Sequence, residues 1–167
     1  LTDVRWKMVG TGDFNADGHP DILWRHDTSG ENVLWYMNGV TLVGGEFTSP
    51  SALVDVNWKM AGVGDYNGDG KPDIVFHHAV SGQIVLWFMD GPNLRQGVFT
   101  TPSSLGAPWK LSGTGDFGGD GKPDFIWRNQ TTGEILVWNM NGATLTSSTL
   151  TSPSALTDLR WRLVGPR

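Results

Sequence analysis

The chain is expected to be all-β, built from three four-stranded antiparallel repeats of about 52 residues plus the first strand of a fourth. A Trp-Lys/Arg-Met/Leu signature recurs at Trp6, Trp58, Trp109 and Trp161, so that repeat starts are spaced by 52, 51 and 52 residues. Every apolar run is short and bounded by Gly, Pro, Asn or Asp, and no segment has the 3.6-residue period of a helix. An acidic nine-residue stretch appears once in each repeat, always at the same offset from its Trp.

The first strand of each repeat starts at the Trp and ends in Gly-x-Gly-Asp, at 10–13, 62–65 and 113–116. The second is the apolar run after the acidic stretch, Ile22-Leu23-Trp24, Ile74-Val75-Phe76 and Phe125-Ile126-Trp127, closed by a Ser/Thr-Gly turn. The third runs from Val33 to Met37, Val85 to Met89 and Leu136 to Met140, and the Asn-Gly or Asp-Gly that follows is a strong hairpin signal. A weaker fourth strand is expected over 41–47, 93–99 and 144–150, ended by a Pro that cannot donate to a ladder. Alternation puts Val33, Trp35 and Met37 on one face of the third strand and Leu34 and Tyr36 on the other. Both faces are apolar, so each sheet must be covered on both, as when similar sheets stack around an axis in a β-propeller. The blades are placed at 1–57, 58–108 and 109–160, with 161–167 opening a further one. The Gly-rich first strands suit the crowded innermost position.

The acidic stretch reads D-x-N-x-D-G-x-x-D. Its oxygen-bearing side chains are Asp13, Asn15, Asp17 and Asp21 in the first copy and Asp65, Asn67, Asp69 and Asp73 in the second. The third has Asp116, Asp120 and Asp124, with Gly118 at position 3. These converge only if the chain curls sharply, which the Gly at position 6 permits. Hard oxygen donors in this number suit Ca²⁺, with the position-7 carbonyl of His19, Lys71 or Lys122 as a further ligand. An Asp-Gly pair after Asn or Asp is also a common turn needing no metal. Three copies, each crowding three like charges into nine residues, favour the cation. Two Ca²⁺ sites are expected, and a weaker third because Gly118 brings no side-chain oxygen.

Net charge is −5, and nine of the 17 acidic residues lie in these loops. The acidity therefore describes metal sites, and three Ca²⁺ would bring the formal total to about +1. No basic stripe is visible along the sequence, so nucleic acid is not an expected partner. No run of about 20 apolar residues is present to span a membrane. The chain has no Cys, which excludes disulfides, thiol nucleophiles and thiolate zinc sites. No signal sequence is visible and the first residue is Leu1, so a mature or excised piece is expected, and low-affinity calcium loops favour a secreted, extracellular setting.

All nine Trp occupy repeat slots, so packing between blades is their expected role, with sugar stacking the sharper alternative. His26, His78 and Asn129 are equivalent positions after the second strand. They read as repeated surface residues or, with Arg25 and Arg128, as polar patches that hydrogen-bond a ligand. His77 and His78 point to opposite faces and do not chelate one metal together. No nucleophile elbow, zinc helix or phosphate loop occurs, and no catalytic site is expected.

On the segments 10–23, 62–75 and 113–126, Gly-x-Gly-Asp-Phe-Asn-x-Asp-Gly-x-x-Asp-Ile-Leu and its copies, the chain resembles the FG-GAP/VCBS repeat family. That family includes integrin-α propellers and a fungal propeller lectin. The resemblance implies a rigid calcium-fastened scaffold that presents loops to carbohydrate or to an extracellular protein; accessory service to a larger secreted enzyme is the third option. Three blades leave two apolar faces uncovered, so a longer array or a homo-oligomer that completes the propeller is expected.

Overall fold

A computed structural model describes residues 2–163. Twelve strands follow one another: β1 (Trp6–Gly12), β2 (Asp21–His26), β3 (Glu31–Asn38), β4 (Thr41–Ala52), β5 (Trp58–Gly64), β6 (Asp73–His78), β7 (Gln83–Asp90), β8 (Asn93–Ser104), β9 (Trp109–Gly115), β10 (Asp124–Asn129), β11 (Glu134–Asn141) and β12 (Thr144–Ala155). No helix occurs among the described residues, and so none that could cross a membrane. Each repeat is one antiparallel meander, with Trp6 opposite His26, Ile22 opposite Trp35 and Asn38 opposite Thr41 in the first unit. The same register returns in the other two.

The fourth strands differ from expectation. They do not stop before the proline but run on to Ala52, Ser104 and Ala155. Past the proline each returns to its own third strand, Glu31 facing Ala52 and Gln83 facing Ser104. These are outer strands, where a missing N–H is tolerated. The Thr before each proline dipeptide donates its hydroxyl to the proline carbonyl (Thr48 to Pro50, 2.7 Å) and steadies the crossing. At this point β4 touches β8, and β8 touches β12, through single parallel bridges, Ser49 with Asn93 and Thr101 with Thr144. The sheet they form does not close on itself.

Two cores fill the gaps between units. Leu23, Leu34 and Phe14 of the first pack on Ile74, Phe76, Trp87 and Met89 of the second. Val75, Leu86 and Tyr66 of the second then pack on Phe125, Trp127, Trp138 and Met140 of the third. Alternation along β7 thus serves both neighbours, as a sheet apolar on both faces requires. The first strands β1, β5 and β9 lie side by side. A Cβ on Gly12 would stand 2.9 Å from Pro72 of the next unit, and one on Gly64 2.9 Å from Pro123. Only glycine lets each first strand approach the next unit's acidic loop so closely. Of the strand expected at 161–167, Trp161–Leu163 carry no strand and the rest lies outside the described residues.

Candidate metal centre

Each acidic stretch joins the first strand of its unit to the second and folds around its position-1 aspartate. Asp13 accepts from the amides of Asp17 (3.0 Å) and Gly18 (2.8 Å). The Asp17 amide also reaches Asn15 Oδ1 at 3.0 Å, so the oxygens of positions 1 and 3 meet at one nitrogen. Asn15 Nδ2 donates to Asp17 Oδ2 at 2.9 Å, which brings position 5 to the same side. That amide and the His19 N–H hold the Asp17 carboxyl below the usual carboxylate range. The second loop repeats the pattern through Asp65, Asn67 and Asp69. Gly18, Gly70 and Gly121 have φ between 82° and 86°, the left-handed curl that position 6 demands.

The position-9 aspartates are of a different kind. Asp21, Asp73 and Asp124 are buried, and the partners they show are backbone N–H groups. Asp21 accepts from Phe14 at 2.9 Å and from Met37 of β3 at 3.0 Å. Asp73 accepts from Tyr66, Asn67 and Met89, and Asp124 from Phe117, Gly118 and Met140. Each therefore pins the loop to the third strand of its own sheet. Burial nevertheless pushes Asp73 up to about 6 against these donors, with Asp69 adding like-charge repulsion. A buried carboxylate compensated only by amides is a place where a nearby cation is favoured.

The third loop keeps the curl without its position-3 side chain. Asp116 gathers the amides of Gly119, Asp120 and Gly121 as Asp65 gathers its own. The missing oxygen thus costs donor count and not shape. Among the described residues no three Asp, Glu or His side chains form a ready cage. The fit to a hard cation rests on a mixed set in each complete loop: a half-buried and an exposed carboxylate, an Asn amide oxygen, a backbone carbonyl and the buried carboxylate behind them. A carboxylate offers about four acceptor sites, so those already holding amides keep lone pairs for a metal. Lys71 and Lys122, which supply position-7 carbonyls, send their ammonium groups away to Asp90 (2.6 Å) and Asn141 (2.8 Å).

Two groups of residues stand where sequence reasoning did not put them. The amide donors on β3, β7 and β11 were missed, because a backbone N–H carries no sequence signal. Asp90 was also missed; it joins Lys71 and Arg95, which hold it down at about 2. Of the polar patch, His26, Arg25, Arg128 and Asn129 are buried and not surface residues, and only His78 is part-exposed. Arg25 donates to Gly30 O, Asn32 Oδ1 and Leu53 O, clasping its sheet to the linker. Arg128 does the same at Leu156. His26, His78 and Asn129 accept the amides of Ser29, Ser81 and Thr132, so they cap the turn between the second and third strands. A turn that needs the same acceptor each time explains the repetition.

A family model for the FG-GAP-like repeat matches twice, over residues 13–76 and 65–127, each match running from one acidic loop through the next. The chain belongs to the FG-GAP-like repeat family. No curated protein and no solved structure matches it. FG-GAP repeats are the units of β-propeller modules, which agrees with the stacked four-stranded sheets. The loops that the family model spans are the ones that organise each sheet.

Proposed function

We propose that this FG-GAP repeat chain is a non-catalytic β-propeller recognition module whose blade corners are clasped by Ca²⁺ and whose ligand is carbohydrate. The observation that carries it is the loop, repeated three times, with exposed oxygen donors backed by a buried aspartate that only backbone amides compensate. Calcium there would be held by Asp13, Asn15, Asp17 and Asp21 with the His19 carbonyl, by Asp65, Asn67, Asp69 and Asp73 with the Lys71 carbonyl, and by Asp116, Asp120 and Asp124 with the Lys122 carbonyl. Its role is to fasten the corner, and the millimolar calcium of an extracellular setting suits such exposed loops.

Partly exposed Trp side chains at repeat positions support a sugar ligand, since weak equivalent sites gain by avidity. Titration calorimetry with calcium should give two strong equivalents and a weaker third. Arrayed glycans probed in millimolar calcium and in chelator should show binding that calcium sustains. A protein partner captured in place of any glycan would move the module to the adhesion reading.

A further inference from the structure

The three lysines of the Trp-Lys signature, 52 and 51 residues apart in sequence, become neighbours in the fold. Lys7, Lys59 and Lys110 lie at equivalent positions of β1, β5 and β9 and line one groove of about 890 Å³, to which Arg162 adds a fourth cation. The groove lining contains no Asp or Glu, in a chain of net charge −5. Acids near this end are already engaged: Asp3 with Arg5, Asp55 with His78, Asp158 with Arg160, while Asp27 comes only to 4.0 Å of Lys7. Lys59 and Lys110 make no ion pair among the described residues.

Two buried side chains in the same lining carry unused polar atoms. His77 is 7% exposed and Arg128 4%, and neither His77 Nε2 nor Arg128 Nη1 has a hydrogen-bond partner. The same lining includes Trp6, Trp109 and Trp161, the last 65% exposed. An unpartnered buried guanidinium nitrogen, cations without counter-ions and the exposed ring of Trp161 together describe a site for an anion with apolar faces, of a size that ordinary ligand pockets have.

We infer that this groove binds an acidic oligosaccharide, with carboxylates on Lys7, Lys59 and Lys110 and sugar rings against the tryptophans; the inference rests on the carbohydrate reading above. An extended acidic peptide would pair along one strand edge, whereas the lysines lie across three. A nucleic acid carries charge far denser than three or four spaced cations match, and the nine loop aspartates leave the chain anionic overall. Sparse carboxylates on alternate sugars suit a row of single cations, one from each blade.

The test compares hyaluronan oligosaccharides, which carry a carboxylate on alternate sugars, with neutral chito-oligosaccharides, by calorimetry at two salt concentrations. The uronate polymer should bind with an affinity that salt weakens, and the neutral one should not. The exposed triple variant K7Q/K59Q/K110Q should bind about tenfold more weakly, the sum expected of three solvent-exposed ion contacts. Trp161→Ala should also weaken binding, with an unchanged melting curve. Equal binding of the neutral sugar, untouched by the lysine variant, would overturn this site and leave the carbohydrate reading standing. Poly-glutamate or single-stranded DNA competing as well as the sugar would overturn the ligand class. Failure of every saccharide would overturn both readings.

Discussion

The second sheet and the third have nearly the same sequence pattern, yet their burial differs because their neighbours differ. Tyr66, after the first strand of the second unit, is 4% exposed against the third unit, and Phe14 is 4% exposed against the second. Phe117 occupies the same position in the third unit and is 49% exposed. At the other end Trp24 and Trp35 are part-exposed, where Phe76, Trp87, Trp127 and Trp138 are buried. The local sequence prepares an apolar residue for a neighbouring sheet, and only that sheet turns it into stability.

The sharpest way to break this comparison is truncation. Phe14→Ala should cost about 3–5 kcal/mol, the usual penalty for emptying an aromatic slot in a core. Phe117→Ala should cost under about 1 kcal/mol, because half its surface is already in water. Urea unfolding of the two variants reads both. Similar losses would mean that Phe117 is covered in solution by a further sheet, from a longer array or from a second copy.

The loops give the next contrast, between two with an Asn at position 3 and one with Gly118 there. A cation bound only to the folded state adds about 2.7 kcal/mol per site at a hundredfold excess over Kd. Melting in calcium should therefore exceed melting in chelator, and an unchanged curve would remove the metal. Asp69→Ala should abolish one strong equivalent. Gly118→Asn, which restores the position-3 oxygen at an exposed place, should raise the weak equivalent to the strength of the other two.

How far the sequence disclosed these features follows from where each signal resides. Strand order, hairpins and the acidic curl were legible because they rest on local chemistry: Asn38-Gly39, the alternation over Val33 to Met37, and Gly at position 6. The continuation of β4 past Pro50 was not, since it depends on a returning contact between Glu31 and Ala52. The burial of His26 and Asn129 was hidden for the same reason, as a turn-capping acceptor and an exposed ligand group look alike in one dimension. The cation row was invisible because Lys7, Lys59 and Lys110 are contiguous only after the sheets stack.

A smaller effect separates the middle unit from both others. His77 stands where the flanking units have Arg25 and Arg128, and its ring meets Trp127 edge-on at 5.6 Å, while the Arg25 guanidinium lies 5.3 Å over Phe76. Burial, with Lys110 and His78 nearby, lowers His77 from 6.5 to about 4. Between those values the unfolded chain binds the proton and the folded chain does not, so this group makes stability fall as pH drops from 6.5 to 4. Asp73, raised to about 6, acts the other way over part of the range. The His77 contribution is therefore read as a difference: stability of the parent minus that of His77→Phe should decline by about 2 kcal/mol across the window. A flat difference would place His77 in solvent.

The smallest effect tests the close approach of a first strand to the acidic loop of the next unit. Gly64 and Gly115 are equivalent, but a Cβ on Gly64 meets the Pro123 ring at 2.9 Å, whereas one on Gly115 meets only its own Phe117 at 3.6 Å. Neither glycine has a positive φ, so alanine strains neither backbone and the difference is steric. Gly64→Ala should lose about 1 kcal/mol, the low end of overpacking costs, because Pro123 sits on a rigid ring that cannot swing aside. Gly115→Ala should be neutral or gain a few tenths of a kcal/mol from a less flexible unfolded chain. Equal losses at both positions would mean that something presses on the Gly115 strand as the third unit presses on Gly64, and the open end of the stack would then be closed in solution.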